Sequence, residues 1–363
     1  MPHSPTTKWT AVLRRLLQAS ILLTLLVILA GSVVRMTGSG MGCPDWPTCF
    51  GLIVPPTQES QVTFQPSTLY EPGQMIVRND TLWVARETII SSGRDFNPAQ
   101  WEAYTRHDYA VFNPVHTWIE YINRLLGALL GLPVVLATVW IFWRVKSHPK
   151  WAFTMLGALL LLGFEAWLGK VVVDGNLVPH QITYHMAGAF LLLALLTAVY
   201  RSVSSEWELH ALRAETQREG LEAERQKAYR LFLILIGLLA VQIVMGTQVR
   251  EEVDVLIKAF GLEADRSSWI AQLPAGLLVH RSFSLLILGV SYGLYRKSFG
   301  LGGLKVRAAG VLYILLLETA LGAAMYYFAI PRFMQPMHLL LSAIAWFLLV
   351  DGAFKAWLML RKV

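Results

Sequence analysis

Four polar residues at the starts of apolar helices form two matching sets in this chain. Asn123 and His280 each stand directly before an arginine, and His185 and His338 each open a further apolar helix. A glutamate and a glycine precede each of the last two histidines at the same distances. The matching pairs are Asn123 with His280, His185 with His338, Glu165 with Glu318, and Gly169 with Gly322. Self-similarity of this kind indicates two copies of one structural unit.

The histidines of these sets suggest a cofactor site. Side chains on facing helices of a four-helix bundle build such sites, and two imidazoles across a bundle suit the axial positions of a haem iron. We therefore predict that His280 and His338 bind a haem; the alternative is a pair of hydrogen-bonded core histidines. His185 has Asn123 in place of a second histidine, and asparagine is a poor iron ligand. This half is expected to have an open or water-filled iron position, which an electron-transfer haem does not need.

Glu120 is the candidate reactive group beside that open position. Residues 116, 120 and 123 follow helical spacing and share one face, so Glu120 lies one turn outside Asn123, and His116 one turn further. A carboxylate there can accept a proton or stabilise positive charge. The alternative is an ion pair at the membrane interface with Arg124 or Arg35.

Arginines occupy equivalent places in the two halves. Two helices end in Gly-Ser-Val-Val-Arg35 and Gly-Thr-Gln-Val-Arg250. Arginine binds carboxylates in a fork, so Arg35 and Arg250 are candidates for haem propionates, and equally for plain interfacial anchors. Arg124 and Arg281 follow Asn123 and His280 directly, and we assign them to the same two sites. Two further ionisable groups, Glu165 and Glu318, are expected to form paired interhelical hydrogen bonds.

The elements that must position these residues are membrane helices. Of the 363 residues, 55% are hydrophobic and only 15% are charged, against about 25% in an ordinary soluble protein. Eight apolar runs reach the roughly 20 residues that cross a bilayer, near 12–34, 117–143, 151–173, 181–200, 230–249, 274–295, 308–330 and 336–358. The expected fold is an all-α integral membrane protein. Its eight transmembrane helices form two pseudo-symmetric four-helix bundles with a long first outer loop.

The net charge of +7 does not indicate nucleic acid, because lysine and arginine cluster in short segments on one side of the helices. By the positive-inside rule that side is cytoplasmic, and so are both termini. The first apolar run is too long for a cleavable signal and the segment before it too short for a mitochondrial presequence. We expect a multi-pass protein of a prokaryotic plasma (inner) membrane.

The two cysteines, Cys43 and Cys49, lie in the first outer loop, 35–115, where an oxidising compartment lets disulfides persist. A structural disulfide is expected; a redox-active pair is the alternative, and a zinc site lacks a second ligand pair. Later in this loop, Met75 to Ala85 alternates around Asn79-Asp80, which predicts a β-hairpin and a small β module of a binding type.

The predicted organisation has three parts. Residues 1–202 form the N-terminal half, 203–229 a charged cytoplasmic linker helix, and 230–363 the C-terminal half. The linker assignment rests on Glu215, Arg218, Glu219, Glu222 and Arg225. The other outer loops are expected at 174–180 and 250–273, with a tight turn at Pro331.

Two sequence runs carry a resemblance to a known family. The first, from Gly31 to Cys49, reads GSVVRMTGSGMGCPDWPTC, and the second, from Trp118 to Gly127, reads WIEYINRLLG. With His280-Arg281 and His338 they resemble the haem A synthases, which also have eight helices in two halves. Many members have histidine at the position of Asn123. The stretch 67–108 does not resemble the family's loop.

The resemblance implies a function and its components. The protein would oxidise the C8 methyl of haem O to a formyl group by successive hydroxylations, giving haem A for terminal oxidases. Haem b would be fixed in the C-terminal half and substrate haem O in the N-terminal half. Glu120 would be essential, as its counterpart is in the family. The implied partners are haem O synthase, terminal oxidase assembly, membrane lipid and an unidentified electron donor; a homo-oligomer is left open.

Other classes of function remain alternatives at this point. A non-catalytic membrane b-type cytochrome or haem carrier would also need His280 and His338, and the open iron position with Glu120 argues against it. A transporter is a third reading, because repeats with polar residues near the membrane midplane occur there too. Glu165 and Glu318 are compatible with transport, although broken helices are not evident.

Overall fold

A computed structural model describes residues 5–91, 96–105, 111–174, 181–207 and 220–361. Within these ranges, eight helices are long and apolar enough to cross a membrane. They are α1 (Pro5–Thr37), α2 (Pro114–Phe142), α3 (Pro149–Asp174), α4 (Gln181–Trp207), α5 (Glu222–Phe260), α6 (Gly276–Lys297), α7 (Gly303–Tyr327) and α8 (Met334–Leu360). The predicted all-α class with eight spans is confirmed; the pseudo-symmetry of the two bundles stays a prediction.

Local sequence signals explain several helix ends. Pro114 and Pro149 begin α2 and α3, where proline's missing N–H costs nothing. Just before α2, the Asn113 Oδ1 atom accepts hydrogen bonds from the backbone N–H groups of Val115 (3.0 Å) and His116 (3.2 Å), as an N-cap does. Helix α5 stops at Gly261, whose φ of 92° suits glycine and few other residues.

The predicted outer loop 250–273 is wrong for its first part, because α5 continues to Phe260. Val253, in this extension, is buried in one cluster with Trp269 and Ile330. Trp269 belongs to a one-turn helix, Trp269–Gln272, that precedes α6. Of the predicted linker, Glu222 and Arg225 lie in α5, whereas Glu215, Arg218 and Glu219 lie outside the described residues. Most of the predicted loop 174–180 also lies outside them.

The chain divides into two compact units. The larger unit comprises Met1–Leu29, Gly127–Glu165 and Thr183–Val363. The smaller unit comprises Ala30–Leu126 and Ala166–Ile182.

The larger unit has two buried apolar clusters rich in small residues. One includes Ala137, Ala152 and Ala158, and the other includes Ala308 and Ala345, all fully buried. Lipid is as apolar as these side chains, so helices in a membrane associate through close packing, which small residues permit.

A buried ion cluster ties three helices of the larger unit together. Asp351 on α8 accepts hydrogen bonds from Arg201 on α4 and from the Arg307 Nε atom on α7, the latter at 2.5 Å. Pairing of this kind is required because an isolated buried charge is very costly. The cluster therefore fixes α4 against α7 and α8.

The smaller unit contains the β module of the first outer loop. Antiparallel strands β2 (Met75–Arg78), β3 (Thr81–Ala85) and β5 (Trp101–Ala103) form a sheet in the order β2-β3-β5, and β1 (Leu69–Tyr70) pairs with β4 (Ile89–Ile90). The predicted hairpin is confirmed: Met75 pairs with Val84, and Asn79 and Asp80 form its turn with φ of 48° and 54°. Tyr70 and Trp101 are buried beneath the strands.

Candidate haem and active site

His280 on α6 and His338 on α8 face each other in the larger unit. Their ring centroids are 6.5 Å apart, with 75° between the ring planes. Each ring packs against a glycine: a Cβ added at Gly246 would lie 3.1 Å from Cε1 of His280, and one at Gly322 would lie 3.3 Å from Cε1 of His338. Gly246 and Gly322 thus make room for the two imidazoles.

This donor pair fits a haem iron. Imidazole nitrogens bind metals at about 2 Å. The facing nitrogens of two rings can lie closer together than the ring centroids do, so two rings with centroids 6.5 Å apart can bind one metal between them. The Gln242 Nε2 atom on α5 donates a 3.0 Å hydrogen bond to the backbone carbonyl of His280 and fixes this turn of α6. On α7, Glu318 accepts a hydrogen bond from the Ser342 hydroxyl of α8.

The two arginines predicted for this site have protein partners. Arg250 contacts Asp254 one turn along α5. The Arg281 guanidinium lies over the Tyr326 ring, 4.8 Å from its centroid, a cation–π contact. Their role toward haem propionates stays a prediction.

In the smaller unit, Glu120 is only 3% exposed and both its oxygens accept hydrogen bonds. The Oε2 atom accepts from the backbone N–H of Cys43 at 2.9 Å, and Oε1 accepts from Arg124 Nη2 at 2.5 Å. Arg124 also donates to the carbonyls of Asp45 (2.6 Å) and Thr48 (3.1 Å). The ion pair with Arg124, one of the two sequence interpretations, is therefore present. The hydrogen bonds that Glu120 and Arg124 make with the backbone of Cys43, Asp45 and Thr48 join α2 to the loop that contains the cysteines.

That loop is closed and seated directly on α2. Cys43 and Cys49 form a disulfide, as predicted. Asp45 accepts hydrogen bonds from the backbone N–H groups of Phe50 (2.6 Å) and Gly51 (2.9 Å). A Cβ at Gly42 would lie 2.5 Å from the His116 carbonyl carbon, so only glycine allows this approach. The loop consequently fixes the backbone donor that holds Glu120.

Two buried polar atoms on the α2 face that carries Glu120 have no hydrogen-bond partner among the described residues. They are Nδ1 of His116 and Oδ1 of Asn123. A Cβ at Gly31 would lie 3.8 Å from that oxygen, so Gly31 stands beside Asn123 as Gly246 stands beside His280. Leaving such an atom unsatisfied costs about 1–3 kcal/mol. This face of α2 is suited to a ligand with polar groups. Arg35 lies in the last turn of α1.

His185 is placed in the larger unit. Its Nδ1 atom lies 2.7 Å from the Glu165 Oε2 atom on α3. The His185 side chain is 43% exposed and that of Glu165 is 7% exposed. The imidazole therefore has a buried anionic neighbour on one side and an accessible part on the other.

Comparison with known proteins places the chain in a family. The model of the family described as "Cytochrome oxidase assembly protein" matches residues 14–83 and 94–350. The chain belongs to this family. Among curated relatives, it is 23% identical to "Heme A synthase" of Bartonella tribocorum, with 94% of this chain and 92% of that protein aligned. It is 25% identical to "Heme A synthase" of a Bradyrhizobium species, with coverages of 93% and 89%. The same name is carried by a Shewanella oneidensis relative, 29% identical over 51% of this chain and 44% of that protein. No solved structure matches.

Membership of the cytochrome oxidase assembly protein family corrects one expectation about the outer loop. The matched ranges include 67–83 and 94–108, so most of the stretch that was expected to differ from the family belongs to the match. Residues 84–93, which contain β4, lie between the two matched ranges.

Two residues that position the site were not predicted from the sequence. They are Asp45, which organises the disulfide loop, and Gly188, which adjoins Glu165. The Cys-Pro-Asp-Trp-Pro run is a signal for Asp45, because aspartate next to proline favours turns. A lone glycine within an apolar helix, such as Gly188, indicates a packing requirement without naming the partner.

Proposed function

We propose that this chain is a haem A synthase, which oxidises the C8 methyl of haem O to a formyl group. Each of two successive hydroxylations adds one oxygen atom to this carbon and withdraws two electrons, which an external oxidant, dioxygen or an electron acceptor, must take. The products are first an alcohol and then a geminal diol, which loses water to leave the aldehyde. The family and the shared name of relatives aligned over nine-tenths of the chain support this function. The observation that supports this function most directly is a difference between the halves. His280 and His338 face each other in one half, whereas in the other the buried Glu120 precedes Asn123 on the same helix face.

In this proposal His280 and His338 hold haem b. Bound there, the haem would supply one-electron transfer, and the two imidazoles would be its protein ligands. The protein's contribution is to fix the two imidazoles, through the ring contacts with Gly246 and Gly322 and the hydrogen bond from Gln242. Arg250 and Arg281 are assigned to the edge of this site.

Substrate haem O is assigned to the N-terminal half, with His185 as its strong protein ligand. Asn123, Arg35 and Arg124 complete the assigned set. Asn123 would leave the sixth iron position open, and its partnerless Oδ1 atom supports a role toward the ligand.

Glu120 is assigned the role of a fixed negative charge. Each of its oxygens already accepts from a donor, so the side chain is held in one place before any substrate arrives. Oxidation of a methyl group makes the carbon electron-poor, and a preorganised carboxylate stabilises developing positive charge without reorganisation. The disulfide loop and Arg124 hold that charge in place.

The wider assignment follows from the reaction. The chain would receive its substrate from haem O synthase and supply haem A for terminal oxidase assembly. Both termini are assigned to the cytoplasmic side, which puts the Cys43–Cys49 loop on the oxidising side of a prokaryotic plasma membrane.

The test is the pigment bound to the purified protein. The chain is expressed with and without haem O synthase in cells that make no haem A, and the extracted haems are separated by chromatography. Haem A, or its hydroxylated precursor, is expected only when the haem O synthase is present. Haem b and unmodified haem O alone, with both haem sites filled, would instead indicate a non-catalytic cytochrome or haem carrier.

A further inference from the structure

We propose that Glu165 is a positioning residue for His185: its carboxylate accepts the Nδ1–H of the imidazole and thereby presents Nε2 to the iron of the substrate haem. The inference rests on the proposed function, in which His185 binds that iron. The histidine ligand of the substrate haem would thus donate a hydrogen bond to a carboxylate. Among the described residues, His280 and His338 have no such hydrogen bond to a carboxylate.

His185 is a close polar neighbour of the buried Glu165 carboxylate. Oε2 of Glu165 lies 2.7 Å from Nδ1 of His185, and the glutamate side chain is 7% exposed. Within the described residues, neither the Glu165 oxygens nor the His185 Nδ1 atom has a hydrogen bond of good angle, so the two groups meet at hydrogen-bonding distance and the hydrogen bond itself is part of the proposal. Burying a charge is costly unless it is paired and hydrogen-bonded. The imidazole N–H is the donor in reach, so this pairing fixes which nitrogen carries the proton.

The equivalent glutamate in the second half is used differently. Glu318 accepts a hydrogen bond from the hydroxyl of Ser342, which lies four residues after His338. Four residues after His185 stands Ala189, which has no hydroxyl. This difference between the halves removes a competing donor and leaves the Glu165 carboxylate for the imidazole.

Helix α4 also has a glycine, Gly188, where the Glu165 carboxyl group packs against it. A Cβ added at Gly188 would lie 1.8 Å from the Glu165 Oε1 atom and 2.5 Å from its carboxyl carbon. Any side chain at Gly188 must therefore displace the carboxyl group. The residue equivalent to Gly188 in the second half is Leu341, so a glycine faces the carboxylate in the first half and a leucine stands at the equivalent position in the second.

The expected consequence is a more basic ligand. A carboxylate that accepts from a ligating histidine fixes its tautomer and raises its basicity, and loss of such partners typically costs 10–100-fold in metal affinity. A more basic, more negative ligand set favours ferric over ferrous iron. If the carboxylate changes that preference by the same roughly 10- to 100-fold, its removal raises the one-electron potential of the substrate haem by about 59–118 mV.

The experiment compares variants of the full chain, purified with haem O supplied by co-expressed haem O synthase and titrated without oxygen. Glu165→Gln keeps an acceptor and removes the charge. Gly188→Ala displaces the carboxyl group without altering it, and Ala189→Ser offers it the hydroxyl that Ser342 offers Glu318. All three should raise the potential of the first-half haem and leave haem b unchanged. Gly163→Ala is the matched control, because a Cβ there meets nothing within 4 Å.

His185→Ala separates the two levels of the argument. Loss of the first-half haem from His185→Ala, with upward shifts in the other variants, supports the inference. The same loss, with Glu165→Gln and Gly188→Ala both at the unchanged potential, overturns the role of Glu165 and leaves the proposed function intact. Retention of a normal first-half haem by His185→Ala overturns the ligand assignment itself. If Glu165→Gln does not fold, Gly188→Ala and Ala189→Ser decide the question.

Discussion

Replacing Glu120 with glutamine is the most informative perturbation, because it keeps the shape of the side chain and removes its charge. We expect Glu120→Gln to retain haem in both halves, yet to accumulate haem O or the partly oxidised alcohol. Loss of one preorganised electrostatic partner of a transition state typically costs about 10²–10³-fold in rate, and a loss of that order in haem A output is expected.

The structure also sets the stability cost of this change. The amide of glutamine has one acceptor oxygen, so either the Cys43 N–H or the Arg124 guanidinium loses its partner. An unsatisfied buried donor costs about 1–3 kcal/mol. Removing one partner of a buried ion pair costs roughly 3–5 kcal/mol, but Arg124 keeps its backbone carbonyl acceptors. The variant should therefore be destabilised by about 1–3 kcal/mol and still fold.

The assay combines chromatography of extracted haems with thermal unfolding of the purified protein. Glu102→Gln is the matched control, because Glu102 pairs with Arg86 at 3.7 Å on the exposed surface of the same outer loop. Such exposed pairs contribute at most about 1 kcal/mol, so this control should make normal haem A at near-normal stability. Normal haem A output from Glu120→Gln would refute the charge role and leave Glu120 as the anchor of the disulfide loop.

Three further outcomes are expected. Alanine at His280 or at His338 should remove the low-spin haem spectrum, because each imidazole fills one axial position; a normal bis-histidine spectrum in both variants would contradict the ligand pair. Cys43 and Cys49 should be linked in unreduced peptides analysed by mass spectrometry, and two free thiols in protein isolated without reductant would be the opposite result. Gly42→Ala should lower thermal stability and haem A output together, since its Cβ would lie 2.5 Å from the α2 backbone; an unchanged melting temperature would show that the loop is not seated as described.

The membrane helices were predictable from the sequence because long apolar runs have few alternatives to crossing a bilayer. The hairpin was predictable because Asn79-Asp80 tolerates the positive φ angles of its turn. The end of α5 was not, because Val253 in its extension is buried in a cluster with Trp269 and Ile330, which lie further along the chain. Tertiary packing of this kind overrides a boundary set by hydropathy.

The candidate site was also predictable from the sequence only in part. Helical spacing alone put Glu120, Asn123 and His116 on one face of α2. No local pattern indicated that Glu120 would accept from the backbone of Cys43, 77 residues away in the sequence. The Glu165 contact with His185 was equally hidden, since spacing gave both glutamates the same expected role.

The predicted repeat would allow the two halves to acquire different chemistry through few substitutions. Gly31 lies beside Asn123, and Gly246 lies beside His280. The polar group beside the glycine differs: Asn123 presents an amide whose oxygen has no partner among the described residues, and His280 presents an imidazole. In the proposed function, the amide at this position would leave an iron coordination site of the substrate haem open, whereas the imidazole at the equivalent position would fill one on haem b. Replacing Asn123 with histidine should therefore give the first-half haem a second imidazole ligand, and a low-spin spectrum from that haem is the expected result.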